Sequence, residues 1–172
     1  MNYHNITHDD MNNGDGVRVV LWVAGCDHHC PECQNPQTWS SDSGIPFDAE
    51  AEKELFNELS KDYVTGITLS GGDPLQTNNF ISMFMLLRKI RDNFPTKTIW
   101  LYTGYTFEEL LDMSTKKLKN YLGLLKLIDV LVDGRYMKEF RDVQLKWRGS
   151  TNQRVIDVQK SLKENKIVLW CD

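Results

Sequence analysis

The 172-residue sequence has no apolar run near the roughly 18 residues that would indicate a membrane span. It also lacks a basic surplus, because 24 acidic residues outweigh 20 Lys and Arg and leave a net charge of -4. Binding to a nucleic-acid backbone needs a basic surface, so no direct nucleic-acid partner is expected. Residues 1–5 lack the basic and apolar stretches of a secretory signal, and we expect a cytoplasmic protein.

Repeats, low-complexity tracts and linkers rich in Pro, Gly or Ser are also missing from the sequence. Nothing therefore divides the chain, and we predict a single domain over residues 1–172. A chain of this length buries roughly 70% of the surface that its unfolded form exposes. A sizeable core is available without disulfides or other staples.

Strand and helix patterns alternate along the chain. Five short apolar runs, rich in β-branched and aromatic residues, are typical of buried strands. They cover residues 17–24, 64–69, 98–102, 127–132 and 167–170. Asp48 and Asn78 are predicted helix N-caps, and Thr106 with Glu109 forms a predicted capping box. Further helices are predicted over residues 115–125 and 152–163.

This alternation predicts right-handed crossovers and a parallel sheet. The chain is shorter than the roughly 250 residues of a complete eight-fold barrel. We therefore predict an α/β fold, a partial and open β/α barrel of about five or six mostly parallel strands. In such folds the functional groups gather in the loops after the carboxyl ends of the strands.

Cysteine is scarce but clustered. Of four cysteines, Cys26, Cys30 and Cys33 lie within eight residues, while Cys171 stands alone. Random placement would give such offsets on the order of 2 times in 10,000. Three thiolates suit zinc, copper or an iron-sulfur cluster. A 4Fe-4S cluster normally has four cysteine ligands, so three would leave one iron open to another molecule. Alternatively His28 or His29 completes a tetrahedral zinc site.

Two more loops follow predicted strands. In residues 70–74, Ser-Gly-Gly-Asp-Pro, the paired glycines let the backbone approach a ligand closely, although a plain tight turn has the same composition. Asp133 and Arg135 follow a later strand, where they could bind the ammonium and carboxylate groups of a cofactor. An Asp-Gly pair is equally typical of a surface turn.

Together these loops resemble a known family. Three cysteines after one strand and a Gly-Gly-Asp loop after the next resemble the radical S-adenosylmethionine superfamily, and within it the glycyl-radical activating enzymes. Further motifs are similar to the branch that activates anaerobic ribonucleoside-triphosphate reductases, and they extend over nearly the whole chain. They lie at residues 1–4, 13–18, 38–39, 43–47, 103–105, 130–134 and 147–153.

The resemblance implies one 4Fe-4S cluster per chain, with Cys26, Cys30 and Cys33 on three of its irons. The amino and carboxylate groups of S-adenosylmethionine would chelate the fourth iron. Other residues would line the cofactor. The implied set is Glu32, Cys33, Gln34, Gly71, Gly72, Asp73 and Thr103, together with Asp133 and Arg135. Relatives often carry an aromatic residue at the position of Glu32.

The implied activity is that of an oxidoreductase. Reductive cleavage of S-adenosylmethionine would yield a 5′-deoxyadenosyl radical, which abstracts hydrogen from a glycine of the large reductase subunit. A reducing electron donor is required, and no catalytic side chain is expected beyond the cluster and cofactor. Two alternatives remain: a radical S-adenosylmethionine enzyme that acts on a small molecule, and a non-catalytic, zinc-stabilised binding module.

Overall fold

The computed structural model describes residues 1–116 and 119–170. These residues form one seven-stranded sheet with the order β3-β1-β2-β4-β5-β6-β7. The strands are β1 (Asn2–Asp10), β2 (Arg18–Val23), β3 (Ile45–Pro46), β4 (Gly66–Gly71), β5 (Thr98–Tyr102), β6 (Val130–Asp133) and β7 (Arg154–Asp157). The helices are α1 (Ala49–Leu59), α2 (Phe80–Asn93), α3 (Phe107–Thr115), α4 (Tyr121–Leu125) and α5 (Val158–Glu164), with 3-10 turns at Pro36–Thr38 and Lys138–Phe140.

The centre of the sheet is parallel and its edges are antiparallel. Strands β2, β4, β5 and β6 pair in parallel, whereas β1 and β3 at one edge and β7 at the other run antiparallel to their neighbours. The two edges do not join, so the sheet stays open. The prediction of a single-domain, open α/β sheet that is parallel in the middle is confirmed.

The strand count differs from the expected five or six because the edge strands have weak patterns. Strand β1 is largely polar and buries only Tyr3 and Ile6. Strand β7 begins inside the helix predicted over residues 152–163, and Asp157 then caps α5 by accepting from the amide of Lys160 at 3.0 Å. Residues 167–170 form no strand and make one isolated bridge, Ile156 to Leu169.

Helix starts follow the predicted caps closely. Asp48 accepts from the amides of Glu50 and Ala51, and Thr106 with Glu109 forms the capping box. Helix α2 begins one residue later than predicted, after Asn79 rather than Asn78. The helix predicted over residues 115–125 is shorter, because residue 115 ends α3 and only residues 121–125 form a helix of their own, α4. Residues 117–118 of that prediction lie outside the described part of the chain.

The two faces of the sheet differ. One face is covered by the helices and holds the main core, to which β2 contributes Val19, Leu21 and Val23. The alternate positions face the open side, where a smaller cluster has Trp100 at its centre, with Trp147 packed against it at 4.9 Å. Within the described ranges, no helix is long and apolar enough to cross a membrane. The open side leaves a concave surface beside the loops that carry the candidate site.

Arg18 crosses this open side at the amino ends of the central strands. Its guanidinium is fully buried and donates to Thr68 and Thr98 hydroxyls and to main-chain carbonyls of Asp15, Ile67 and Thr98. Burial lowers the pKa of Arg18 to about 10, so the group stays charged at neutral pH. Arg18 therefore ties β2, β4 and β5 together at the end opposite the candidate site.

Candidate functional site

The carboxyl ends of the parallel strands open on one cavity of about 440 Å³. This volume is in the usual range for sites that bind small molecules and cofactors. Its walls hold all three clustered cysteines and most of the residues that the sequence predicted to bind a cofactor. Those cofactor candidates are Cys33, Gln34, Gly71, Gly72, Asp73, Thr103 and Arg135.

The loop that carries the cysteines is folded back on itself. The amides of Gly25 and Cys26 donate to the carbonyls of Thr38 and Trp39, at 2.7 and 3.0 Å. Near the tip, the amide of Cys33 donates to the carbonyl of Cys30 at 3.1 Å. All three thiols are partly buried, and burial raises the pKa of Cys26 to about 11 and also raises that of Cys30. The thiols of Cys26 and Cys30 therefore keep their protons at neutral pH until a metal ion displaces them.

The Gly-Gly-Asp loop after β4 packs directly on the cysteine loop. The amide of Asp73 donates to the carbonyl of Gly25 at 2.7 Å. A Cβ at Gly72 would lie 2.4 Å from that carbonyl oxygen, and one at Gly71, where φ is +103°, would lie 2.7 Å from main-chain atoms of Val23. The two glycines are therefore required by the contact between these loops.

The carboxylate of Asp73 joins three loops. It is 1% exposed and accepts from the amides of Leu75 and Gly104, at 2.8 and 3.0 Å. The hydroxyl of Thr103 donates to it at 2.9 Å, and His28 Nε2 lies 2.7 Å from its Oδ2. A buried carboxylate with this many donors is held in one orientation. Asp73 therefore fixes the cysteine loop relative to the loop after β5.

Arg135 extends this arrangement from the loop after β6. Its Nε donates to His28 Nδ1 at 3.1 Å. Because an arginine nitrogen can only donate, Nδ1 accepts and the proton of His28 resides on Nε2, which donates to Asp73. The imidazole lies against Tyr105, with ring centroids 4.6 Å apart, and a Cβ at Gly104 would meet it at 2.4 Å.

These contacts bear on the zinc alternative. Both nitrogens of His28 are occupied, and His29 Nδ1 contacts the carbonyl of Asp27 at 3.1 Å while its ring packs on Trp39. In the two described stretches, no group of three or more His, Cys, Asp or Glu side chains is arranged to hold a single metal ion. The arrangement of His28 favours a role in holding the loops together.

Two of the sequence candidates lie away from the cavity walls. Asp133 is buried, but its carboxylate accepts from the amide of Phe107 at the start of α3 and pairs with Arg154 at 2.5 Å. Glu32, where φ is +56°, is exposed and pairs with Lys138. The structure therefore does not bring Asp133 and Glu32 together with the other candidates.

Sequence reasoning missed the aromatic floor of the cavity. Trp22, Tyr102 and Trp147 line it from the open side of the sheet. The hydroxyl of Tyr102 is buried and has no hydrogen-bond partner among the described residues, and burial raises the pKa of this phenol. The alternation of side chains along a strand could have identified Trp22 and Tyr102. Each is next to a core residue, Val23 or Leu101, and therefore points to the opposite face of the sheet.

Comparison with known proteins agrees with this arrangement. Residues 12–156 match the model of a family described as a 4Fe-4S single cluster domain. The chain is therefore a 4Fe-4S single cluster domain protein built on an open α/β sheet.

Three curated relatives define the family more narrowly, and each of them is named anaerobic ribonucleoside-triphosphate reductase-activating protein. One from Enterobacteria phage T4 is 44% identical over 155 residues, which cover 90% of this chain and 93% of that protein. One from Escherichia coli K12 is 41% identical, covering 90% and 97%, and one from Vibrio cholerae is 41% identical, covering 89% and 96%. The chain belongs to this family of activating proteins.

Proposed function

We propose that the protein is a radical S-adenosylmethionine enzyme that activates an anaerobic ribonucleotide reductase by generating a glycyl radical on its large subunit. One observation carries the proposal: three thiols, the Gly-Gly-Asp loop and Arg135 share the walls of one cavity. The names of the relatives supply the partner. Residues 1–172 would then form a single radical S-adenosylmethionine domain.

The donor set of the cavity fits a 4Fe-4S cluster with one open iron. Cys26, Cys30 and Cys33 line the cavity, and thiolates are the usual ligands of such clusters. When bound together, the cluster and S-adenosylmethionine supply one-electron cleavage of a carbon-sulfur bond and hydrogen abstraction from a glycine.

The chain's own residues hold and orient the cofactor. Arg135 uses only Nε within the described structure, which leaves both terminal nitrogens of its guanidinium for the cofactor's carboxylate. Gln34, Gly71 and Gly72 contribute wall surface beside the thiols. Asp73 accepts from Thr103 and from His28, so Asp73 and Thr103 support the wall and keep Arg135 in place through His28.

A protein substrate suits this cavity better than a metabolite does. Small-molecule sites usually enclose most of their ligand, whereas this cavity lies on the open side of a sheet that does not close. A glycine presented on a loop of another protein could cover the opening and exclude water. A reducing electron donor would complete the reaction, which fits the reducing conditions of the cytoplasm.

The test uses the whole protein with its candidate partner. The reconstituted protein is incubated without oxygen with S-adenosylmethionine, a chemical reductant and the purified large reductase subunit, and electron paramagnetic resonance is recorded. We expect a glycyl-radical signal on the reductase that the Cys30→Ala variant does not produce. A loaded protein that cleaves S-adenosylmethionine but leaves the reductase without a radical would favour the small-molecule alternative.

A further inference from the structure

One segment of the chain leaves the wall of the cavity and returns to it. Arg135 and Tyr136 line the cavity before the segment, and Leu145, Trp147 and Arg148 line it afterwards. The intervening residues 137–144, which we call the rim segment, therefore stand at the border of the opening. They follow β6 and include the short 3-10 turn Lys138–Phe140.

The rim segment exposes apolar side chains. Met137 is 39% exposed, Phe140 46% and Val143 80%. Three exposed apolar side chains within eight residues form an apolar patch at the border of the cavity. Contact of such a patch with water is unfavourable, so exposed patches often mark interaction sites. Such side chains, surrounded by charged neighbours, are typical of a surface that another protein covers.

The charge of this region is opposite to that of the whole chain. Residues 135–148 hold five basic residues and two acidic ones, whereas the net charge of the protein is -4. The rim segment itself holds two residues of each sign, so the basic surplus comes from its flanks, Arg135, Lys146 and Arg148. Arg141 is exposed at the centre of the rim segment. An apolar segment with basic flanks is complementary to a partner segment that is acidic and apolar.

The rim segment is held firmly at its base. The side chain of Asn152 donates to the carbonyl of Arg135 at 2.8 Å, and Gln153 donates to the carbonyl of Gly134 at 3.0 Å and accepts from the amide of Gly149 at 2.9 Å. The amide of Thr151 donates to the carbonyl of Phe140 at 2.8 Å. A surface fixed in this way loses little conformational freedom when a partner binds.

The rim segment also contacts the loop that carries the cysteines. Lys138 of the rim segment pairs with Glu32, which stands next to Cys33. The rim segment thus spans from the cavity wall to the edge of the cysteine loop. A protein that covers it would also cover the opening above the three thiols.

We propose that the rim segment is the docking surface for the reductase, and that it binds an acidic and apolar segment next to the glycine that becomes the radical. This inference rests on the proposed function, because it names the surface through which that function acts. Met137, Phe140 and Val143 supply the apolar contact. Arg141 supplies attraction to acidic groups and sensitivity to salt.

The test compares matched exposed substitutions by their affinity for the purified large reductase subunit, measured without oxygen. The variant Phe140→Ser/Val143→Ser should bind at least about tenfold more weakly than the wild type, a loss of about 1.4 kcal/mol. The control Tyr63→Ser/Ile81→Ser removes an aromatic and an aliphatic side chain that are 56% and 71% exposed but do not line the cavity. It should bind like the wild type.

Two charge-reversal variants test the electrostatic contribution to binding. Arg141→Glu should weaken binding more at low salt than at high salt, whereas Lys53→Glu, on the exposed surface of α1, should not. Iron content and circular dichroism show whether each variant is folded and loaded. If Phe140→Ser/Val143→Ser binds the reductase with wild-type affinity, the rim segment is not the docking surface. The proposed function would still stand if the wild type generates the radical. A wild-type protein that does not bind the reductase would overturn both.

Discussion

His28 Nε2 lies 2.7 Å from Asp73 Oδ2, and this contact joins the loop of the three cysteines to the Gly-Gly-Asp loop. Both side chains are almost completely buried. Since Arg135 donates to the other ring nitrogen, a neutral imidazole bridges a cation and a carboxylate. The proposed ligands of the cluster and the proposed groups for the cofactor are thereby fixed relative to each other.

Removing the imidazole of His28 should weaken cofactor binding without emptying the cluster. The variant His28→Ala leaves a buried carboxylate short of one donor and releases Arg135, which costs about 1–3 kcal/mol. We expect the affinity for S-adenosylmethionine to fall at least about tenfold while iron content is retained. The control is His29→Asn. His29 is exposed and its backbone is in the left-handed region, a conformation that asparagine adopts readily. Equal cofactor affinity in His28→Ala and the wild type would remove this bridging role.

Alanine at Cys26, Cys30 or Cys33 should abolish the 4Fe-4S cluster, because two thiolates cannot hold three irons. Analysis of iron and acid-labile sulfide in each purified variant measures this. Cys171, which lies outside the described residues, provides the matched control, and Cys171→Ala should keep full iron content. A complete cluster in any one of the three variants would contradict the ligand assignment.

The substitution Gly72→Val should disturb both loops. Its Cβ would lie 2.4 Å from the carbonyl oxygen of Gly25, so the Gly-Gly-Asp loop must move away from the cysteine loop. Overpacking of this kind costs about 1–3 kcal/mol of unfolding free energy. Chemical denaturation of the metal-free protein should show that loss, and cofactor affinity should fall with it. An unchanged unfolding free energy would mean that the two loops can move apart without cost, which would contradict the prediction.

The substitution Tyr102→Phe should not destabilise the ligand-free protein. The hydroxyl that it removes is buried without a partner in the described structure, and an unsatisfied buried polar group costs about 1–3 kcal/mol. We expect an unfolding free energy equal to or above that of the wild type. A clear loss of stability would show that the hydroxyl has a partner in solution.

The central strands could be predicted from the sequence because they are buried on both faces and read as continuous apolar runs. Strand β5 matches its predicted residues 98–102. The edge strand β1 could not be predicted from the sequence, since its buried positions are few and polar residues fill the rest. Strand β7 is only four residues long and leads directly into α5, so its apolar pair is indistinguishable from the first turn of a helix.

The cavity walls could be predicted in part for a similar reason. Residues at the carboxyl end of a strand or shortly after it, such as Gly71 and Cys26, are positioned by that strand, and the sequence identified them. Asp133 also ends a strand, but its partner Arg154 is set by the antiparallel register of β6 and β7. His28 could be seen only as a possible metal ligand, because Asp73 and Arg135 lie 45 and 107 residues further along the chain.

The most direct measurement of the proposed activity follows hydrogen from the partner to the cofactor. The large reductase subunit is prepared with deuterated glycine and incubated without oxygen with the loaded protein, S-adenosylmethionine and a reductant. Mass spectrometry of the 5′-deoxyadenosine formed is compared with the growth of the glycyl-radical signal. We expect deuterium to enter the nucleoside in step with the signal. A growing signal with an unlabelled nucleoside would contradict direct abstraction of hydrogen from glycine.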